Sequence, residues 1–194
     1  MAVFPGGARE ALQAARDTMT SLEVFNSERL SQGLEQIHIG IGLHLGLLRL
    51  GIVGEQKRRQ GDIFADTVNV ANRIEGLTKT YGSSVIVSEA FLAGLDDADA
   101  QLPLRRNLGR VVVKGRLEAL TLFDAFEFDQ PEQVALKRST IPVFEQYQSR
   151  FQAGHYAQAM ALIEPLLAAN GEDKAARYLH AQAQARIAGG QELA

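Results

Sequence analysis

The chain has 194 residues, a formal net charge of -3 and no cysteine. That length holds one domain, or one domain with a small appendage. The near-neutral balance gives no reason to expect nucleic acid or a membrane surface as partner. The absence of thiols excludes a disulfide scaffold and thiolate metal sites and fits a reducing, cytoplasmic setting. No apolar run approaches the roughly 18 residues that span a bilayer, and no basic segment follows Met1.

Residues 2–4 form a short apolar run that Pro5, Gly6 and Gly7 break, reading as a strand end and loop. Over residues 8–30, Ala11, Leu12, Ala15, Met19, Leu22 and Phe25 recur at helical spacing. Residues 36–50 are rich in β-branched and alternating positions. With residues 51–64 they read as strands joined by a polar tip over 55–60. Residues 67–81 predict a helix ended near Gly82, residues 85–87 a short buried strand, and Ser88 the start of another helix. Residues 110–114 and 121–128 read as a closing strand pair. Strands alternating with helices in this order predict an α+β sandwich.

A polar stretch over 129–142 reads as a linker. Beyond it, Phe144, Tyr147, Phe151, Tyr156, Ala159, Leu162, Ile163 and Leu166 return at helical spacing, Gly154 separates two periodic segments, and Asp173 opens a third. Pro165 is expected to kink or end the second helix. The layout of residues 143–190 is similar to a tetratricopeptide repeat, and a single repeat cannot bury its own apolar face. It must pack on the preceding domain, on another repeat or on a partner protein.

The most informative stretch is residues 62–77. Asn69 and Arg73 stand four apart just inside a helix start, one turn above each other on one face. Asp66 or Thr67 suits the cap position, so the positive helix end points the same way. Such an arrangement suits an anionic, phosphate-bearing ligand. It also resembles the signature of the class III nucleotidyl cyclases, the adenylate and guanylate cyclase catalytic domain. The likeness extends on both sides: residues 37–46 with Gly40, Gly42 and Gly46, then Gly51 and Gly54, residues 81–89, and the strand before Lys114 and Gly115. It runs over residues 1–128.

The resemblance implies a ferredoxin-like cyclase sandwich followed by an α-helical tail. It also implies that the family's first strand, its first helices and both metal-binding aspartates lie upstream of residue 1, so this chain holds no metal ligands although the family uses magnesium or manganese. The implied reaction is attack of a nucleotide's 3′-hydroxyl on its own α-phosphorus, with pyrophosphate leaving. Within it Arg73 would stabilise charge on the phosphoryl oxygens, Asn69 would orient the ribose, Lys114 would meet the terminal phosphates and Asp62 would read the purine edge. An aspartate accepts from the exocyclic amine of adenine, which favours ATP over GTP. Against each role stands an ordinary one: Arg73 paired with Asp66, Asn69 bonded at the helix start, Asp62 in a turn, Lys114 on the surface.

Three readings compete. In the first, the chain is part of an adenylate cyclase that works as a dimer, either a homodimer or paired with a complete cyclase subunit. In the second, it is a non-catalytic partner of a complete cyclase, its C-terminal helices docking a protein elsewhere. In the third, it is a helical scaffold keeping a cyclase remnant. The parent protein is expected to be cytoplasmic, unless upstream segments anchor it to a membrane.

Overall fold

A computed structural model describes residues 1–47, 49–53, 60–64, 66–95, 103–112 and 119–190, with the backbone alone at 49–53, 60–64 and 66. Helix α1 (Ala8–Ser31) precedes the short strand β1 (Ile41–Leu43), the hairpin of β2 (Arg49–Val53) and β3 (Gln60–Phe64), and helix α2 (Asp66–Tyr81). Then come β4 (Val85–Ser88), α3 (Glu89–Ala93), β5 (Arg105–Val112), β6 (Ala119–Ala125) and a 3-10 turn (Phe126–Phe128). Three helices close the chain: α4 (Pro131–Gln152), α5 (Tyr156–Ala169) and α6 (Lys174–Ala188). The α+β class and the C-terminal helices expected from the sequence are both present.

The main sheet has the order β1-β4-β6-β5. Its β1–β4 pair is parallel and is joined across α2, while β4–β6 and β6–β5 are antiparallel. The period-2 side-chain alternation of a strand explains why all four residues of β4 are buried. Val85 and Val87 face a cluster with Ala8, Leu12 and Ala15 of α1, whereas Ile86 faces Val70, Ile74 and Tyr81 of α2. The second face is covered by more than α2. Phe144 and Tyr147 of α4, Ile163 of α5 and Ala175, Ala176, Leu179 and Ala183 of α6 lie in the same buried cluster. Of the resting places open to the tail, it takes the preceding domain.

Charge ties the two parts together as well. Arg106 on β5, fully buried, meets Asp124 of β6 at 3.0 Å and Asp173, the residue capping α6, at 2.5 Å. Its guanidinium also sits 4.3 Å from the centre of the Phe144 ring. Lys137 of α4 bonds Asp124 at 3.0 Å and Asp129 at 2.6 Å. A buried charge is tolerated only when paired, and these pairs reach across the seam between sheet and tail. Burial alone would raise the Asp173 carboxyl, but the bond and charge of Arg106 outweigh it and hold it below the usual carboxylate range.

Several local expectations are corrected. Residues 131–142, read as linker, lie inside α4. Their polar composition belongs to the exposed side of that helix, Pro131 occupies the first turn where its missing N–H costs nothing, and buried Lys137 is polar because it is ion-paired. Neither Pro142 nor Pro165 ends its helix. Both are exposed, so water can reach the carbonyls they leave unbonded. Residues 2–4 take no strand pairing and regular strand within 36–47 is confined to β1. The strand expected at 110 begins at Arg105, where a bulge at Asn107/Gly109 had masked its alternation.

Truncating Leu179 to Ala removes a fully buried side chain at this seam. A loss of about 2–5 kcal/mol is expected, with α-helical and aromatic signals falling together in one urea transition. The ion pair predicts the acid limb of stability. Asp173 titrates lower in the folded than the unfolded chain, so its contribution is complete above the unfolded value of about 3.9 and fades as pH falls through the folded value. Asn is an equally good cap, so Asp173→Asn isolates the charge. The variant should be less stable by about 3 kcal/mol at pH 7, and the gap should narrow below about pH 4 in thermal melts.

Candidate active site

Helix α2 carries the two strongest site candidates, and its seat explains the glycines before it. A Cβ on Gly42 would fall 2.4 Å from the backbone nitrogen of Glu75 and 2.6 Å from the carbonyl of Ala71. On Gly40 it would meet the Thr78 hydroxyl, and on Gly46 that of Thr67 at 2.7 Å. At Gly42 the strand therefore lies backbone to backbone against the helix at Ala71 and Glu75, while Gly40 and Gly46 make room for the Thr78 and Thr67 side chains. Around the helix from that line, Val70, Ile74 and Tyr81 are buried toward the tail.

With 3.6 residues per turn, Asn69, Arg73, Gly76 and Thr80 form a third line, turned away from the glycines. Asn69 is exposed and Arg73 half-buried. No described residue forms a hydrogen bond or ion pair with the Arg73 side chain, so the plain pairing with Asp66 has no described support, the Asp66 side chain lying outside the described residues. The structure thus brings Asn69 and Arg73 together on one face. Asp62 has its backbone paired with Gly51 in the hairpin, but its side chain lies outside the described residues, as does Lys114 altogether. Thr67 is not the cap. It stands second in α2, and its hydroxyl donates to the Leu47 carbonyl at 2.7 Å, tying the helix start to the segment after β1.

His44, expected as a strand residue, follows β1 and bonds through Nδ1 to the Ser88 hydroxyl at 2.8 Å. Ser88 in turn accepts from the Phe91 backbone and caps α3. Among the described residues no group of three His, Asp or Glu side chains is placed to hold a metal ion. A broad cleft of about 1480 Å³ opens at the far end of α2, walled by Asn26, Ile37, Gly40, Thr78, Ser83 and Lys137 among others, and neither Asn69 nor Arg73 lines it. The glycine seat was visible in the sequence only as a pattern, and Arg106, Asp124 and Lys137 were missed. Asp124 inside the apolar run 120–126 was the available signal, since an acid on a buried strand needs a cation.

Residues 6–124, more than half of the chain, match the family described as the adenylate and guanylate cyclase catalytic domain. The chain belongs to this family. The cyclase domain is similar to an adenylate cyclase of Anabaena cylindrica, 39% identical over 129 residues that cover 64% of this chain and 26% of that protein. It is also similar to adenylate cyclase 1 of Rhizobium meliloti (strain 1021), 38% identical over 117 residues covering 60% of this chain and 17% of that one. Among solved structures, a bacterial light-regulated adenylyl cyclase aligns with a TM-score of 0.49 and 19% identity, covering 69% of this chain and 38% of that chain. The chain thus spans about a quarter or less of the length of these two curated relatives.

The seat of α2 in the cyclase domain gives a graded test. Gly42→Ala drives a methyl into helix backbone that cannot swing aside, and an overpacking loss of about 1–3 kcal/mol is expected. Gly40→Ala meets only the Thr78 side chain and should cost less. Urea unfolding of the two variants checks the order.

Proposed function

We propose that this chain contributes the asparagine–arginine half of an adenylate cyclase site that converts ATP to 3′,5′-cyclic AMP and pyrophosphate. The observation that carries the reading is the pair Asn69 and Arg73 on the open side of a helix, within a domain that matches the cyclase family. In this reading Arg73 faces the α-phosphoryl group and stabilises the charge gathered as the 3′-hydroxyl attacks, the kind of positioned cation on which phosphoryl transfer depends. Asn69 holds the ribose so that the 3′-hydroxyl points at phosphorus. Asp62 accepts from the adenine amine and Lys114 meets the terminal phosphates. Magnesium or manganese, held by carboxylates that a partner subunit would bring, would supply Lewis-acid neutralisation of the phosphates.

The partner in this reading is a second cyclase subunit, identical or complete, that brings the metal-binding carboxylates to the Asn69/Arg73 face. Association is supported by the distribution of exposed apolar side chains. Ten of the twelve large ones among the described residues fall within residues 1–47, including Val24, Phe25, Leu30, Ile37, Ile39 and Leu47. Exposed side chains of this kind are the ones a partner subunit would cover. No helix among the described residues is long and apolar enough to cross a membrane.

The decisive assay mixes the chain with a cyclase subunit that keeps its metal carboxylates but has lost its own arginine. Cyclic AMP formation from magnesium ATP is expected from the mixture and not from either component alone. Arg73→Ala should lower it by about a thousandfold or more. Activity unaffected by Arg73→Ala would contradict the assignment, and a mixture that never forms cyclic AMP would favour a non-catalytic partner instead.

A further inference from the structure

Helix α2 has two supports, and the second comes from outside the residues that match the cyclase family. At its C-terminal end the Tyr81 ring lies edge-on to Tyr178 of α6, centroids 4.8 Å apart. The next residue, Gly82, turns the chain at φ 63 and lies beside the Lys174 side chain, whose carbons would stand 3.0 to 3.3 Å from any Cβ there. Lys174 and Tyr178 are one turn apart on α6, so one face of that helix grips both residues that end α2. Leu179 beside them is fully buried in the cluster with Val70 and Ile74, and its carbonyl accepts from the Tyr147 hydroxyl of α4. The start of α6 is fixed in turn by Asp173, which caps it and binds Arg106 of the sheet.

We propose that α6 positions the catalytic helix, with Tyr178 as a positioning residue that acts on Arg73 through Tyr81. Val70, Ile74 and Tyr81 form the line next to Asn69 and Arg73 on the same rigid helix. The glycine seat fixes how close α2 comes to the sheet, and Thr67 and Thr78 anchor the helix along that seat. The Tyr81–Tyr178 ring contact and the Lys174 side chain hold its C-terminal end from the tail side. The tail is on this account a part of the nucleotide site's scaffold, and whatever shifts α6 shifts the arginine. The kinetic consequence rests on the cyclase reading above; the mechanical one does not.

The test therefore has two arms, each using the full chain as wild type, Tyr178→Ala and Tyr178→Phe. In the first, the backbone amide resonances of Asn69 and Arg73 are followed by NMR. They should shift or broaden in Tyr178→Ala, although more than one hundred residues separate the sites in sequence, and return in Tyr178→Phe, which restores the ring. In the second, the chain is mixed with the arginine-deficient cyclase subunit and given magnesium ATP. Tyr178→Ala should lower kcat, by up to about 100-fold, with KM within about twofold, and Tyr178→Phe should restore it. Unchanged Asn69 and Arg73 resonances in Tyr178→Ala would overturn the proposal, as would an active mixture whose kcat ignores the ring. If no mixture is active even with wild type, the cyclase reading fails, and the resonances alone decide the positioning.

Discussion

The close approach of strand and helix at Gly42 is the constraint on which the remaining architecture rests. At that point backbone meets backbone, and the Thr67 and Thr78 side chains fill the spaces over Gly46 and Gly40. The neighbouring side of α2 is packed as well, where the tail supplies Leu179, Tyr178 and small alanines that let α6 come near. The third side of α2 is then free to carry Asn69 and Arg73. A helix with two faces occupied by packing presents Asn69 and Arg73 from a fixed platform, which the proposed site, relying on positioned charge, would require.

The buried charges do a different job from the apolar seam. Arg106, Asp124, Lys137, Asp129 and Asp173 link β5, β6, the 3-10 turn, α4 and α6 in one chain of ion pairs. Apolar contacts are non-directional, so a tail held by its apolar side chains alone could settle on the sheet in several registers. A paired arginine with both of its acids at fixed places admits one. A misdocked tail would part Arg106 from Asp173 and Asp124 from Lys137, and losing partners of a buried charge is costly. Specification of the docked register is the role that fits these residues best.

Much of this was legible in the chain. Helix spacing gave α1 and α2 nearly to the residue, because a strong apolar line survives whatever packs on it. The short apolar run at Val85 marked β4, the stretch around Ile41 was read as longer strand than the β1 it holds, and the resemblance picked out Asn69 and Arg73. The tail's seat was not legible. Residues 131–142 look like linker because the exposed side of α4 is polar and its one buried member, Lys137, is charged. Nothing in the local sequence marks Arg106 as a core residue. Only three-dimensional proximity to Asp124 and Asp173, eighteen and sixty-seven positions away, gives it a buried role.

The most direct check of this account is native-state hydrogen exchange on the wild-type chain, comparing α2 with α6. If α6 is one wall of the unit that holds α2, buried amides in both helices should open with the same free energy and the same dependence on denaturant, as members of one cooperative unit. Amides of α6 that exchange through a smaller opening while α2 keeps its protection would show a tail that comes and goes on an independently stable domain. That result would contradict the clamp.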